Sequence, residues 1–354
     1  MSDDLNIPLI TTAAGLDEVI AHIRERGCFA FDTEFVSEDT FEPVLCLIQV
    51  ATDERLAVID PLPLRDLTPF WDAVNDPAIE VIMHAAGEDL RICRFQTGRV
   101  PAKVFDVQIV AGLVGFGYPL SLGNLANQTV RATLAGGETR TDWRRRPLSP
   151  GQLRYAIDDV RYLFSIADFL KNQLENLDRE AWAEAELATF LSDIATRSDE
   201  ERWRKLSGLH TLNRRGLEIA RRLADWRYLD AKRTNRPLRQ LLRDDLLVAI
   251  AKRQPTSKRD LEALRDFNRP HLIARSDEIL ELVAKSFEVA PEHLPEPAER
   301  HEEGPGLAMV ISLLAATLSR CAVEHKIASA MLGTTNDLKE LVRWHIDGEP
   351  ADRS

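Results

Sequence analysis

A chain of 354 residues has room for two or three domains, and 44% hydrophobic with 29% charged residues is an ordinary globular composition, which excludes disordered, collagen-like and low-complexity classes. A formal net charge of −12 argues against nucleic-acid binding by the chain as a whole. Cys28, Cys46, Cys93 and Cys321 form no Cys-x-x-Cys pair and lie among apolar neighbours, which excludes a disulfide framework and a zinc knuckle and predicts a reducing compartment, the cytoplasm.

Met1-Ser2-Asp3-Asp4 carries no basic residue, and the longest apolar run, residues 307–318, is interrupted by Ser312, so neither a secretory leader nor a membrane span is expected. Residues 28–35, 44–51 and 56–60 are apolar, strand-like runs, and Thr52-Asp53-Glu54 is a turn that joins the second and third as a hairpin. The period then changes. Residues 66–74 read as a helix, 80–84 as a short buried strand, 88–95 as a helix, 104–105 as a strand and 107–114 as a helix. A hairpin followed by strand-helix alternation predicts an α/β architecture, a mixed sheet flanked by helices. From residue 148 to about 200 the pattern is helical, and no strand-like alternation follows.

A polar stretch at 196–201 marks a first boundary, and four prolines with six acids between 288 and 306 mark an extended acidic linker. The expected organisation is an α/β domain over 1–200, a helical domain over 201–289, a linker over 290–306 and a small helical unit over 307–354. Between Arg202 and Arg243 stand thirteen basic residues and three acids, a strongly basic segment inside an acidic protein. Trp203, Trp226 and Tyr228 are interleaved with them, a mixture suited to phosphate contacts and base stacking, though a solvated helical face has the same composition.

Asp32 and Glu34 stand at i and i+2 inside the first strand, so both project from one face of the sheet. Acids amid Phe29, Phe31 and Phe35 are costly unless a cation compensates them or the strand ends in solvent. Glu88-Asp89 opens the helix after strand 80–84; on a helical wheel Asp89 lies beside the apolar stripe and Glu88 points away. On the helix after residue 148, Leu153, Ala156, Ile157, Val160 and Leu163 form the buried stripe. Asp158 lies nearly opposite that stripe, beside Arg154 and Arg161, and reads as a solvated ion-pair residue. Tyr155 and Asp159, four apart, flank the stripe on one face.

Together Asp32-x-Glu34, His84-x-x-x-x-Asp89 and Tyr155-x-x-x-Asp159 resemble the DEDD superfamily of 3′-to-5′ exonucleases in its tyrosine-bearing branch. The likeness narrows to the ribonuclease D family through Phe31-Asp32-Thr33-Glu34-Phe35, Leu47-Ile48-Gln49-Val50, Ile59-Asp60-Pro61-Leu62, Asp106-Val107-Gln108-Ile109, Thr139-Arg140-Thr141-Asp142-Trp143 and Arg146-Pro147-Leu148. Residues 238–264 resemble the HRDC domain, a helical nucleic-acid-binding module, and the family carries a second, diverged HRDC-like unit where residues 307–354 stand.

The resemblance implies a ribonuclease H-like fold followed by all-α HRDC-type domains. It also implies two-metal hydrolysis of RNA to nucleoside 5′-monophosphates, with tRNA precursors as substrates and no membrane partner; a monomer is expected. Two Mg²⁺ or Mn²⁺ ions ~3.5–4 Å apart can stabilise the attacking and leaving oxygens together. Hard oxygen ligands suit them, which assigns Asp32, Glu34, Asp89 and Asp159 as metal ligands. Tyr155 would orient the attacking water. Phe35 and Gln49 are candidates for the terminal-nucleotide site, with core packing the alternative for Phe35. His84 is a candidate or a structural hydrogen-bonder, Asp106 a helix N-cap, and Arg144, Arg145 and Arg146 candidates for the phosphate backbone, together with Arg214 and Arg215 in the basic segment. The competing readings are a DNA 3′-to-5′ exonuclease, because the carboxylates do not read the sugar, and an inert RNA-binding protein on this scaffold.

Overall fold

The computed structural model describes residues 8–134, 136–138, 141–196, 202–297 and 306–347; the first boundary at 197–201, Thr139-Arg140 and the linker from 298 to 305 lie outside them. Contacts divide the described residues into two units, one drawn from Met1–Phe35, Leu45–Thr196 and Glu303–Ser354, the other from Val36–Val44 and Arg197–Glu302.

The first unit is the expected mixed sheet flanked by helices. It holds six strands among the described residues: β1 (Leu9–Ile10), β2 (Cys28–Val36), β3 (Val44–Ala51), β4 (Leu56–Ile59), β5 (Glu80–Met83) and β6 (Val104–Asp106), in the order β1-β4-β3-β2-β5-β6. β3 and β4 form the predicted hairpin, with Ile48 opposite Ile59, and the Thr52 hydroxyl accepts from Arg55 N to close the turn. β1 runs parallel to β4, and β5 parallel to both β2 and β6. The helices are α1 (Ala13–Arg26), α2 (Thr68–Val74), α3 (Gly87–Thr97), α4 (Val107–Leu113), α5 (Leu122–Val130), α6 (Pro150–Arg161), α7 (Leu163–Leu177) and α8 (Glu180–Thr196). Phe29 and Phe31 of β2 pack with Phe70 and Trp71 of α2 on one face of the sheet, while Ala30, Ala51 and Ile82 face the core that α4 and α7 cover.

Three more helices, α15 (Leu307–Glu324), α16 (Ser329–Leu332) and α17 (Thr335–Asp347), group with this unit by their contacts. The buried Arg179 guanidinium donates to Leu113 O at 2.7 Å, to Lys326 O at 3.0 Å and to His325 O, and Ala328 N donates to Gly112 O at 2.7 Å. A side chain at Gly112 would meet Met331 Cγ and Tyr118 Cβ at 3.0 Å, so glycine permits this approach. α15 has the length and apolar composition of a membrane-crossing helix, with Met309, Leu313 and Val323 exposed.

The second unit packs α9 (Arg214–Thr234) against α10 (Leu238–Leu241), α11 (Asp244–Arg253) and α14 (Ser276–Phe287), with the shorter α12 (Lys258–Glu262) and α13 (Pro270–Ile273) between the last two in sequence. Its core is built from residues such as Leu217, Leu223, Leu247, Phe267 and Ile279. Residues 36–44 belong to it: Asn235 Oδ1 accepts from Phe41 N and Glu42 N at 3.1 and 2.9 Å, and Phe41 meets the Tyr228 ring edge-on.

Candidate active site

Alternation along β2 sends Asp32 and Glu34 to the face of Ala30, away from the Phe29 and Phe31 cluster. α6 brings Asp159 to the same place. That helix is fixed at its start by a capping box, in which Ser149 Oγ accepts from Gln152 N at 3.1 Å and Gln152 Oε1 from Ser149 N at 3.0 Å, with Pro150 in the first turn. The result is a cluster in which carboxylate oxygens of Asp32, Glu34 and Asp159 all lie within 4.8 Å of one another. Tyr155, one turn before Asp159, sets its half-buried ring 6.1 Å from that of buried Trp143.

Asp89 sits in the first turn of α3, where the helix dipole favours an acid, and is buried, whereas Glu88 beside it is exposed and paired with Arg91. Thr33 Oγ1 donates to Asp89 Oδ1. The turn before α3 places Ala85 at φ 55 and is held by Asp106, whose carboxylate accepts from Ala85 N at 3.1 Å and Ala86 N at 2.9 Å and also caps α4 through Gln108 N at 2.8 Å. The expected cap therefore does more, since Asp106 also fixes the approach to Asp89.

Four acids crowded together resist ionisation. Burial, then the charges of Asp89, Asp159 and Glu34, holds Asp32 well above the ordinary carboxylate range. Burial, then Asp159 and Asp89, pushes Glu34 up to about 8; burial, then Asp158 and Asp89, pushes Asp159 up to about 7. Burial lifts Asp89 to about 6 against the opposing Thr33 hydrogen bond. An all-oxygen set of mutually repelling carboxylates fits hard divalent cations, which would relieve the repulsion. The sign of the pH effect follows. Below about pH 4 these groups are protonated in the folded and unfolded chain alike; as pH rises towards about 8 the unfolded chain ionises first, so the metal-free fold loses stability across this window. The melting-temperature difference between Glu34→Gln and wild type in EDTA is expected to grow in favour of the variant from pH 5 to pH 8 and to shrink when Mg²⁺ is added; a difference independent of pH and Mg²⁺ would contradict this.

Several expected residues have other partners. Arg146 reaches Asp60 with two nitrogens, the shorter contact 2.5 Å, and donates to Cys46 O at 2.7 Å and Trp143 O at 2.8 Å, so it pins the segment before α6 to the sheet. Arg146→Met is expected to destabilise the protein by about 3 kcal/mol, since it strands the buried Asp60 carboxylate; thermal melting checks it. Arg144 pairs with Asp142 at 2.9 Å, and Arg145 is the most exposed of the three arginines. His84 Nε2 bonds Leu120 O at 2.9 Å, which makes it the donor, and burial lowers its pKa against that bond. Phe35 packs on the core across the sheet from Glu34. Gln49 is fully buried on the carboxylate face, with neither amide atom hydrogen-bonded. Asp158, expected to be solvated, is buried because α6 packs against both β4 and α7.

The basic segment is also largely engaged. Arg221 and Arg222 neutralise fully buried Glu218, and buried Arg227 binds Leu242 O and Asp244. Arg233 pairs with Asp230, and Arg243 with Asp245 and Asp266. Arg214 pairs with Glu296 and donates to Leu294 O; Arg215 donates to Ser286 O and to Val289 O at 3.0 Å while lying over Phe287. Both serve the second unit's own packing. Lys205, Lys232, Arg236 and Arg239 remain exposed.

Residues 7–175 match the family described as 3′-5′ exonuclease, and residues 216–283 match the HRDC domain. Over 338 residues the chain is 35% identical to ribonuclease D of Gluconacetobacter diazotrophicus, covering 94% of this chain and 85% of that one. The chain belongs to the ribonuclease D family. Ribonuclease D of Bartonella henselae is 33% identical over 336 residues, covering 94% and 82% of the two chains. The crystal structure of Escherichia coli RNase D, described as an exoribonuclease involved in structured RNA processing, superposes with a TM-score of 0.85 at 28% identity, covering 99% of this chain and 93% of that one. The catalytic core of RRP6 from Trypanosoma brucei shares the fold, with a TM-score of 0.62 at 20% identity over 80% of each chain. As a member of the ribonuclease D family the chain is, by class, a 3′-to-5′ exoribonuclease of a metal-dependent superfamily, with an HRDC domain in its second unit.

Proposed function

We propose that the chain shortens RNA from its 3′ end by hydrolysing the terminal phosphodiester to release nucleoside 5′-monophosphates, with two Mg²⁺ or Mn²⁺ ions held by Asp32, Glu34, Asp89 and Asp159. The observation that carries this reading is the meeting of Asp32, Glu34 and Asp159 oxygens within 4.8 Å, in a site where burial and mutual repulsion leave the acids short of positive charge. When bound, the ions offset the phosphate charge and make water nucleophilic. The role of Tyr155 is to orient the attacking water from one turn before Asp159, not to deprotonate it. Arg144 and Arg145, on the segment leading into α6, and exposed Lys205, Lys232, Arg236 and Arg239 are the proposed phosphate contacts. Precursor tRNA as substrate, a monomeric state, a cytoplasmic location and domain limits at 200, 289 and 306 belong to the same proposal.

Incubating 5′-labelled RNA and DNA oligonucleotides with Mg²⁺, Mn²⁺ or EDTA tests it. Stepwise shortening of RNA with either metal and none in EDTA is expected. Faster loss of DNA would make this a DNA exonuclease, and RNA binding without shortening would make it an inert scaffold.

A further inference from the structure

Thr33 lies between the two acids of β2, and strand alternation turns its side chain to the opposite face of the sheet from Asp32 and Glu34. It is buried, at 6% exposure, as is Asp89, and its hydroxyl donates to Asp89 Oδ1. A buried β-branched position in a strand is filled equally well by valine, which has the same shape and no polar atom. The hydroxyl therefore has a purpose beyond packing. A carboxylate only accepts hydrogen bonds, and its two oxygens are equivalent until something distinguishes them. Here the bond engages Oδ1 and so distinguishes the two oxygens. It also ties β2, which carries two of the acids, to α3, which carries the third.

We infer that Thr33 is a positioning residue: its hydroxyl holds Asp89 in the orientation in which the carboxylate takes a divalent cation. The inference rests on the proposed metal site. Groups that orient a metal ligand from behind alter affinity by about 10–100-fold when removed. Thr33→Val should then bind Mn²⁺ at least about 10-fold more weakly than wild type. Thr33→Ser, which keeps the donor and loses the methyl, should bind within about threefold of wild type. All three proteins should keep the same far-ultraviolet circular dichroism spectrum.

The experiment is titration of metal-free protein with Mn²⁺, followed by electron paramagnetic resonance of the free ion, on wild type, Thr33→Val and Thr33→Ser. Should Thr33→Val not fold, Thr33→Ala against Thr33→Ser gives the same contrast. Wild-type affinity in Thr33→Val, or a serine variant as weak as the valine one, overturns the inference while leaving the metal site standing. Wild-type protein that takes up no Mn²⁺ overturns the metal site itself and the inference with it.

Discussion

Asp32→Asn is expected to lower RNA hydrolysis at least about 10³-fold, the upper end of the loss produced by removing one preorganised electrostatic contact. The same change removes one of several buried, mutually repelling charges, so the metal-free variant should melt no lower than wild type at pH 8. Asparagine keeps the shape of the side chain and donates where the carboxylate accepted, which separates loss of charge from loss of packing. Asp159→Asn should behave alike, as the other side of the cluster. Glu88→Gln is the matched control: Glu88 is exposed, its contact with Arg91 is a surface pair, and turnover should stay within about twofold of wild type. Turnover and melting temperature measured on the same preparations check this; half of wild-type activity in Asp32→Asn would remove Asp32 from the metal site.

Tyr155→Phe is expected to lower turnover by roughly 10²–10³-fold with KM and Mn²⁺ affinity nearly unchanged, the pattern of a hydrogen bond made in the transition state and absent from the ground state. The ring packs beside Trp143 and survives the substitution, so melting should change little. Rapid-quench turnover at saturating RNA, with metal titration alongside, separates the alternatives. A variant that loses Mn²⁺ binding would show Tyr155 to be a structural support of the cluster.

What could be read from the sequence was what depends on neighbours along the chain. Period two placed Asp32 and Glu34 on one face, the helical wheel chose Asp89 over Glu88, and the apolar runs located β2, β3 and β4 nearly to the residue. The helix α1 was missed, although Thr12 as N-cap, the buried stripe of Leu16, Val19, Ile20 and Ile23, and Gly27 at φ 64 as the stop are local signals that could have found it; the short strand β1 leaves little signal. Asp158 was misplaced because a wheel assumes one buried face, whereas α6 is covered by β4 and by α7. The partners of Arg146 and of the basic segment were out of reach for a related reason. Asp60 lies 86 residues from Arg146, and Asp244, Asp266 and Glu296 all fall outside the segment whose charge was counted. Burial of Gln49 and the packing of α15–α17 with the first unit depend on contacts between distant residues, which no local pattern contains.

The proposed chemistry requires four carboxylates from β2, α3 and α6 to form one two-cation site. Anomalous diffraction from crystals soaked in Mn²⁺ with a nucleoside 5′-monophosphate addresses it directly. Two anomalous peaks bounded by Asp32, Glu34, Asp89 and Asp159 are expected, with the phosphate between them and the Tyr155 hydroxyl facing it. Peaks elsewhere, or a nucleotide bound with no metal among these four residues, would contradict it.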